Sequence, residues 1–306
     1  MSARATYESA LLDLARSDER VVVLTAENRA ALRALPGLLG PSFLYFGVAD
    51  QTMVGAAAGL DMRGRVPLVH ALAAFLTMRP FEFVRTDVGI PSLPVKLVGY
   101  VPGFLSEANG PTHQALEDVA LMRGIPGMRV FAPGDEEDLL LGLPAVLSDP
   151  RPWYVRFNAR ETPVAHAPFE IGRAERLSEG DDVAVLTYGT LLTEAVAASR
   201  LLEGEGLSVS LFNLRTLAPL DSEAVASAAR TARLLVTLED HFEAGGLSTL
   251  VAEVCLRLRL APRHLPIALR DRWFVPALFP DVLETEGFTP EAIAARITTA
   301  LEEASR

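Results

Sequence analysis

The feature that most constrains the fold of this chain is an alternation of short apolar runs with longer stretches of helical spacing. The alternation continues almost from end to end. Strands that are apolar throughout must be covered on both faces, and helices between them allow parallel pairing. The pattern therefore predicts an α/β fold made of two doubly wound domains with mostly parallel sheets.

The predicted elements follow from apolar periodicity and from helix-start signals. The predicted strands are Val21–Leu24, Val66–Val69, Val95–Val101, Met128–Phe131, Trp153–Arg156, Val183–Leu186, Ser208–Asn213, Leu234–Leu238 and Ile267–Arg270. The predicted helices are Asp50–Gly59, Ala73–Val84, His113–Arg123, Asp135–Leu147, Leu191–Leu202, Ser222–Ala232, Leu247–Leu258 and Pro290–Glu302.

A break in this pattern divides the chain. Between about Asn158 and Glu175 the sequence contains prolines and charges without a sustained period, which is typical of a linker. We therefore predict an N-terminal domain over residues 1–160, a linker over residues 161–174, and a smaller α/β domain over residues 175–306.

Composition excludes several classes of partner and site. The formal net charge of -11 at pH 7 would repel both nucleic acid and anionic membrane lipid, so neither is expected to bind. The single cysteine, Cys255, excludes an internal disulfide framework and is expected to be buried on an apolar helical face. The sequence shows no signal peptide and no apolar run that could span a bilayer, which predicts a cytoplasmic protein.

Two blocks of the first domain carry a family resemblance. Residues 46–85 have the sequence FGVADQTMVGAAAGLDMRGRVPLVHALAAFLTMRPFEFVR, and residues 109–135 have the sequence NGPTHQALEDVALMRGIPGMRVFAPGD. Together they resemble the pyrimidine-binding domain of transketolases, especially those that are split into two subunits. Weaker likenesses in the second domain, such as VTLEDHFEAGGLSTLVAEV, extend the resemblance over nearly the whole chain. The resemblance implies the C-terminal half of a transketolase, which binds the aminopyrimidine end of thiamine diphosphate.

Another transketolase motif is absent from the sequence. The family holds the diphosphate and Mg²⁺ with a Gly-Asp-Gly…Asn motif, and no Gly-Asp-Gly occurs here. A diphosphate needs a metal ion and backbone donors to offset its charge. The resemblance therefore implies a partner, the N-terminal-half transketolase subunit, which would hold the diphosphate and most of the Mg²⁺ ligands, and no residue of this chain is assigned to the metal. It also implies an α2β2 assembly with self-association through this chain.

The resemblance also assigns the cofactor-binding residues. Asp50 matches the glutamate that bonds N1′ of the aminopyrimidine and favours its imino form, although Asp50 is one methylene shorter. Since Asp50 directly precedes a helix-like run, a helix-capping role stays open. Leu72, Phe75 and Met78 match positions that pack on the ring, and only Phe75 keeps an aromatic side chain. The alternative for these three residues is that they only form the side of a helix that faces the core.

Three further positions are expected at the substrate. His113 matches a family histidine beside the aminopyrimidine that could move a proton at a substrate oxygen, and its alternative is a helix-start histidine bonded to the backbone. Asn109 and Val101 stand where sugar-using transketolases have an aspartate and a histidine. Because both replacements remove hydrogen-bonding capacity, we expect a substrate with fewer hydroxyl groups.

Three arginines are candidates for binding a substrate phosphate. Arg160 falls near a family arginine with that role, Arg4 falls near another, and Arg29 falls near a phosphate-contacting serine. Arginine suits bidentate binding of anions. Ordinary surface positions are the alternative for all three.

The leading functional hypothesis is a thiamine diphosphate-dependent transferase of aldehyde or ketone residues that is active only with its N-terminal-half partner. It would move a ketol or acyl unit from a donor ketone or 2-oxo acid to an acceptor aldehyde. Two alternatives stay open, namely the β subunit of a 2-oxo acid dehydrogenase, which has the same fold, and a non-catalytic scaffold subunit. The run Gly-Pro-Thr-His-Gln-Ala-Leu-Glu-Asp favours transketolase over the dehydrogenase.

Overall fold

The computed structural model describes residues 6–26, 32–162 and 164–303, so Arg4 and Arg29 lie outside the described residues. The strands are β1 (Val21–Thr25), β2 (Phe43–Tyr45), β3 (Val66–Leu72), β4 (Lys96–Tyr100), β5 (Arg129–Phe131), β6 (Trp153–Phe157), β7 (Glu175–Arg176), β8 (Val183–Thr187), β9 (Val209–Asn213), β10 (Thr216–Ala218), β11 (Leu234–Phe242) and β12 (His264–Leu269). The α-helices are α1 (Tyr7–Ser17), α2 (Leu35–Leu39), α3 (Asp50–Asp61), α4 (Ala73–Thr77), α5 (Phe81–Phe83), α6 (Asp118–Arg123), α7 (Glu136–Ser148), α8 (Leu192–Gly204), α9 (Ser222–Thr231), α10 (Leu247–Leu258), α11 (Phe279–Glu286) and α12 (Pro290–Glu303).

The strands form two sheets. The first has the order β10-β5-β6-β4-β3-β1-β2 and is parallel except for β10, which runs antiparallel to β5. The second has the order β12-β11-β8-β9-β7 and is parallel except for β7, which runs antiparallel to β9. In the first sheet the chain moves from β1 to β2 on one side and then to β3 on the other, and in the second it moves from β8 to β9 on one side and then to β11 on the other. The predicted α/β fold with two doubly wound, mostly parallel sheets is therefore confirmed.

Alternation along β1 shows why its apolar run forms a central strand. Val22 and Leu24 belong to one core cluster, whereas Val21 and Val23 belong to another. Successive side chains of a strand point to opposite faces of the sheet, so the two clusters cover the two faces of the first sheet. A strand buried in this way needs apolar residues at every position, which is the pattern seen in the sequence.

Two predicted helices differ from the structure. The stretch Ala73–Val84 is broken into α4 and α5, and a π-helical turn follows over Val84–Gly89. Pro80 lies at the break, where its missing backbone N–H cannot continue a helix. The stretch predicted as His113–Arg123 becomes α-helical only at α6, because Pro111–His113 forms a separate 3₁₀ turn.

The two halves of the chain are joined by a shared sheet and by a buried histidine. Strand β10 lies in the second half of the sequence but pairs with β5 of the first sheet. His166 lies in the stretch predicted as a linker, and its side chain is fully buried. Its ring nitrogens contact Asp135 at 3.3 Å and Glu175 at 2.8 Å, so residues from both halves hold it.

A buried arginine also connects the halves. Arg156 in β6 donates to Asp118 in α6 at 2.9 Å and to Asp240 in β11 at 2.5 Å, and all three side chains are buried. Gly103 lies so close to Arg156 and Asp240 that a Cβ atom there would clash with both. The contact therefore fixes the loop that follows β4 as well as the domain junction.

Two further predictions concern Cys255 and membrane-spanning segments. Cys255 is buried in α10, as predicted, and burial raises the pKa of its thiol. Within the described part of the chain, none of the helices is both long and apolar enough to cross a membrane.

The His166 cluster predicts a pH dependence of stability. Burial alone would lower the pKa of His166, but hydrogen bonds to Asp135 and Glu175 outweigh it and raise the pKa to about 10. Because this value lies above the unfolded value of 6.5, the contribution is complete below pH 6.5 and is lost as the pH rises through 10. Between pH 7 and pH 10, we expect the free energy of unfolding to fall by about 2–4 kcal/mol more in the wild type than in His166→Gln. Urea titrations at several pH values between 7 and 10 measure the free energy of unfolding. The same dependence on pH in the wild type and in His166→Gln would contradict the raised pKa of His166.

Candidate active site

A cavity of about 290 Å³ lies at the carboxyl ends of β1, β2 and β3. Ala26 follows β1, Val48 and Asp50 follow β2, Leu72 ends β3, and Phe75 lies in α4 directly after it. Here β2 lies on one side of β1 and β3 lies on the other, so the strand order reverses. Open α/β sheets bind ligands at such a reversal, beyond the carboxyl ends of the strands.

Asp50 is the acidic group of this cavity. It is the first residue of α3, and its side chain is only 2% exposed. The N-cap position is occupied by Ala49, and no side-chain capping bond is made there. The carboxylate instead accepts a hydrogen bond from Nη1 of Arg79 at 2.9 Å. The structure therefore gives Asp50 no capping role and turns its charge towards the cavity.

Phe75 and His113 supply the aromatic part of the lining. Their ring centroids lie 4.8 Å apart at an interplanar angle of 63°, an edge-to-face contact. Nδ1 of His113 lies 3.0 Å from the hydroxyl oxygen of Thr112, so a neighbouring side chain orients the imidazole. The imidazole therefore bonds a side chain and not the backbone, which was its alternative partner. The cavity thus combines a carboxylate, an aromatic face and an imidazole.

A second depression of about 590 Å³ opens beside the cavity, and we call it the adjoining groove. Phe75 and Arg79 line both spaces. Met78 lines the groove and is not part of the described cavity lining. Trp273, from the segment after β12, brings the second domain into the same groove.

Val101 and Asn109 shape the loop after β4 and are not among the cavity-lining residues described. Val101 has a φ of 55°, in the left-handed region that a β-branched residue rarely adopts. Nδ2 of Asn109 donates to the carbonyl of Ser106 at 2.9 Å. Their contact with substrate stays a prediction.

Arg160 has protein partners in the structure. Its guanidinium donates to both carboxylate oxygens of Glu194, at 2.7 and 2.8 Å, and to the carbonyl of Thr190 at 2.6 Å. It also lies over the ring of Phe279 at 4.5 Å. These residues belong to the second half of the chain, so Arg160 helps to join the two halves. Its role in binding phosphate stays a prediction.

Two buried histidines have structural roles. His70 is bonded to the hydroxyl of Tyr7 at 2.8 Å, and burial lowers its pKa to about 4. His241 lies within 3.4 Å of the backbone nitrogen of Ala120, and burial lowers its pKa to about 4. Both are therefore neutral near pH 7, and neither lines the cavity.

The sequence interpretation missed Arg79. It is the one charged residue of the mostly apolar stretch HALAAFLTMR, and this charge is a signal that could have identified it. Its guanidinium lies 4.0 Å from the centroid of Phe75 and bonds Asp50. The arginine thus contacts two of the four residues that the resemblance assigns to the aminopyrimidine, Asp50 and Phe75.

Comparisons with known proteins agree with the fold. Residues 1–164 match the transketolase pyrimidine-binding domain, and residues 172–293 match the transketolase C-terminal domain. This chain belongs to the transketolase family. The 1-deoxy-D-xylulose-5-phosphate synthase of Syntrophotalea carbinolica is 33% identical over 298 residues, which are 95% of this chain and 47% of that protein.

Two relatives resemble this chain along most of their own length. The 6-deoxy-6-sulfo-D-fructose transketolase subunit SqwH of a Clostridium species (strain MSTE9) is 37% identical over 272 residues, 87% of this chain and 83% of that protein. A solved structure described as a split gene transketolase, inactive beta4 tetramer, has a TM-score of 0.85 and 31% identity, covering 97% of both chains. The chain thus contains the two domains that form the C-terminal half of a transketolase, and the family implies dependence on thiamine diphosphate.

The cavity residues fit the aminopyrimidine ring of this cofactor. A buried carboxylate can accept a hydrogen bond from a protonated ring nitrogen, and the aromatic face of Phe75 can stack on the ring. The apolar side chains of Ala26 and Leu72 complete the lining. At about 290 Å³, the cavity lies at the lower limit of small-molecule sites and suits one ring better than a cofactor with its diphosphate tail.

Removal of the Phe75 ring tests this fit. We expect Phe75→Ala to weaken thiamine diphosphate binding about tenfold, because the variant loses ring stacking and buried aromatic area. Calorimetric titration with thiamine diphosphate measures the affinity. Leu256→Ala is a matched control, since Leu256 lies in α10 and is 82% exposed. Equal affinities for the Phe75 variant and the wild type would exclude the stacking role.

Proposed function

We propose that this chain is the C-terminal subunit of a thiamine diphosphate-dependent enzyme that transfers a ketol or acyl unit. The donor is a ketone or 2-oxo acid, and the acceptor is an aldehyde. The observation that carries the proposal is the buried carboxylate of Asp50 beside the aromatic face of Phe75, at the strand-order reversal of the first sheet. This combination supports a site for the aminopyrimidine.

Three side chains have distinct roles in the proposed reaction. When bound, thiamine diphosphate supplies a nucleophilic carbon on its thiazolium ring that attacks the donor carbonyl. Asp50 holds a proton at N1′ of the aminopyrimidine, and Phe75 fixes the plane of the ring. His113, at the cavity wall, accepts or donates a proton at the substrate oxygen.

We also propose that an N-terminal-half subunit holds the diphosphate and Mg²⁺. Among the described residues, no group of three or more His, Cys, Asp or Glu side chains could hold a metal ion. The structural relative is described as an inactive beta4 tetramer, which supports self-association of this type of subunit and a need for a second one. The assembly that we propose is an α2β2 heterotetramer.

The donor in this proposal carries an anionic end. SqwH is named for a ketose with a sulfo group at carbon 6, which supports this class of substrate. The replacements at Asn109 and Val101 remove hydrogen-bonding groups that sugar-using transketolases present, so fewer hydroxyl groups are recognised along the chain of the donor.

Substitution of Asp50 tests the role of its carboxylate. We expect Asp50→Ala and Asp50→Asn to lower kcat of the assembled enzyme at least about 100-fold, because positioned proton transfer contributes about 10²–10⁴-fold. Asp50→Glu keeps the charge but changes its reach by about 1.3–1.5 Å, so partial activity is expected. A coupled assay of ketol transfer measures kcat, and size-exclusion chromatography checks assembly. Unchanged turnover of Asp50→Ala would contradict the assignment.

Reconstitution tests the split-subunit proposal. We expect the chain alone, with thiamine diphosphate and Mg²⁺, to show no transfer, because its sequence contains no Gly-Asp-Gly motif to hold the diphosphate. Addition of a polypeptide with the Gly-Asp-Gly…Asn motif should restore it. Turnover by the chain alone would refute the need for a partner. An assembled complex that binds no cofactor would support the scaffold alternative, and transfer to a lipoyl carrier would support the dehydrogenase.

A further inference from the structure

Arg79 occupies the cavity although the proposed reaction assigns it no role. Its Nη1 atom lies 2.9 Å from Oδ2 of Asp50, and its guanidinium carbon lies 4.0 Å from the ring centroid of Phe75. A guanidinium is a flat, cationic hydrogen-bond donor that stacks on aromatic rings. It therefore satisfies the same two partners that the proposed function gives to the aminopyrimidine.

A guanidinium and an aminopyrimidine would use the same two partners. A ring that bonds Oδ2 of Asp50 and stacks on the face of Phe75 that Arg79 covers would need the positions that the guanidinium fills. Asp50 is buried, and a buried carboxylate without a donor is strongly unfavourable. The protonated ring nitrogen would replace the donor that leaves, so Asp50 would keep a partner before and after the exchange.

The structure provides a place for the displaced arginine. Arg79 lines the adjoining groove as well as the cavity, and its side chain is 37% exposed. It is the only arginine or lysine among the described residues that line the two spaces. Glu117 also lines the groove, where its carboxylate accepts a hydrogen bond from the backbone of Leu116.

We propose that Arg79 exchanges partners: it covers Asp50 and Phe75 in the cofactor-free chain, then turns into the adjoining groove and binds the anionic end of the donor. This inference rests on the proposed function and adds the residue that recognises the anion. The ligand chemistry is a singly or doubly charged oxyanion, such as a phosphate or a sulfonate, which an arginine binds through parallel N–H donors.

The first test measures competition with the cofactor. The full chain is titrated with thiamine, and binding is followed by fluorescence of Trp273, which lines the groove and is 52% exposed, while Trp153 is buried. We expect Arg79→Gln to bind thiamine about two- to fivefold more tightly than the wild type, because a competing ion pair is removed. Weaker or unchanged binding would overturn the competition.

The second test measures recognition of the anion in the reconstituted complex. The donors are D-fructose 6-phosphate, 6-deoxy-6-sulfo-D-fructose and the neutral ketose L-erythrulose. For whichever anionic donor the wild type uses, we expect Arg79→Gln to raise KM about 10- to 100-fold. The value of kcat/KM for L-erythrulose should change less than about twofold, and Arg79→Lys should recover part of the loss because it keeps a positive charge.

Controls separate this inference from the proposed function. Arg85→Gln removes an exposed arginine that lies outside both linings, and we expect it to match the wild type. Equal losses for anionic and neutral donors in Arg79→Gln would show a general packing role and overturn the inference. A wild-type complex that transfers no donor would refute the proposed function instead, and the thiamine titration would still decide whether Arg79 competes for the cavity.

Discussion

The relative position of the two domains depends on the buried guanidinium of Arg156. It bonds Asp118 of the first domain at 2.9 Å and Asp240 of the second at 2.5 Å. Removal of one partner from such a buried pair leaves an uncompensated charge, which costs about 3–5 kcal/mol. Since Asp118 begins the helix that follows the His113 loop, the same contact that joins the domains also fixes one wall of the cavity.

This junction makes the second domain part of the site. Nε2 of Gln114, directly after His113, donates to the carbonyl of Phe274 at 3.0 Å. The neighbouring Trp273 lines the adjoining groove beside Met78 and Arg79. The second domain therefore supports the loop that carries the imidazole and contributes a side chain to the groove. A change in the angle between the domains would alter the cavity and the groove together.

Local pattern predicted the parts of the structure that depend on local order. Continuous apolar runs identify the central strands, whereas Asp50, Phe75 and His113 were assigned by the family resemblance of two separate blocks of sequence. Strand β10 could not be predicted, since three residues carry no periodicity and its partner is β5 of the other half. Arg79 and His166 were missed for a related reason. Their roles depend on carboxylates that only the tertiary fold brings near, such as Asp50, 29 positions before Arg79.

The shorter acid and the arginine are physically connected. An aspartate carries its carboxylate nearer the backbone than a glutamate does, and at 2% exposure Asp50 is almost completely removed from water. A carboxylate in that position needs a donor at all times. Arg79 is the donor in the structure, and in the proposed complex a ring nitrogen takes its place. Asp50 therefore keeps a hydrogen-bond partner in both states, and its buried charge remains available to the cofactor.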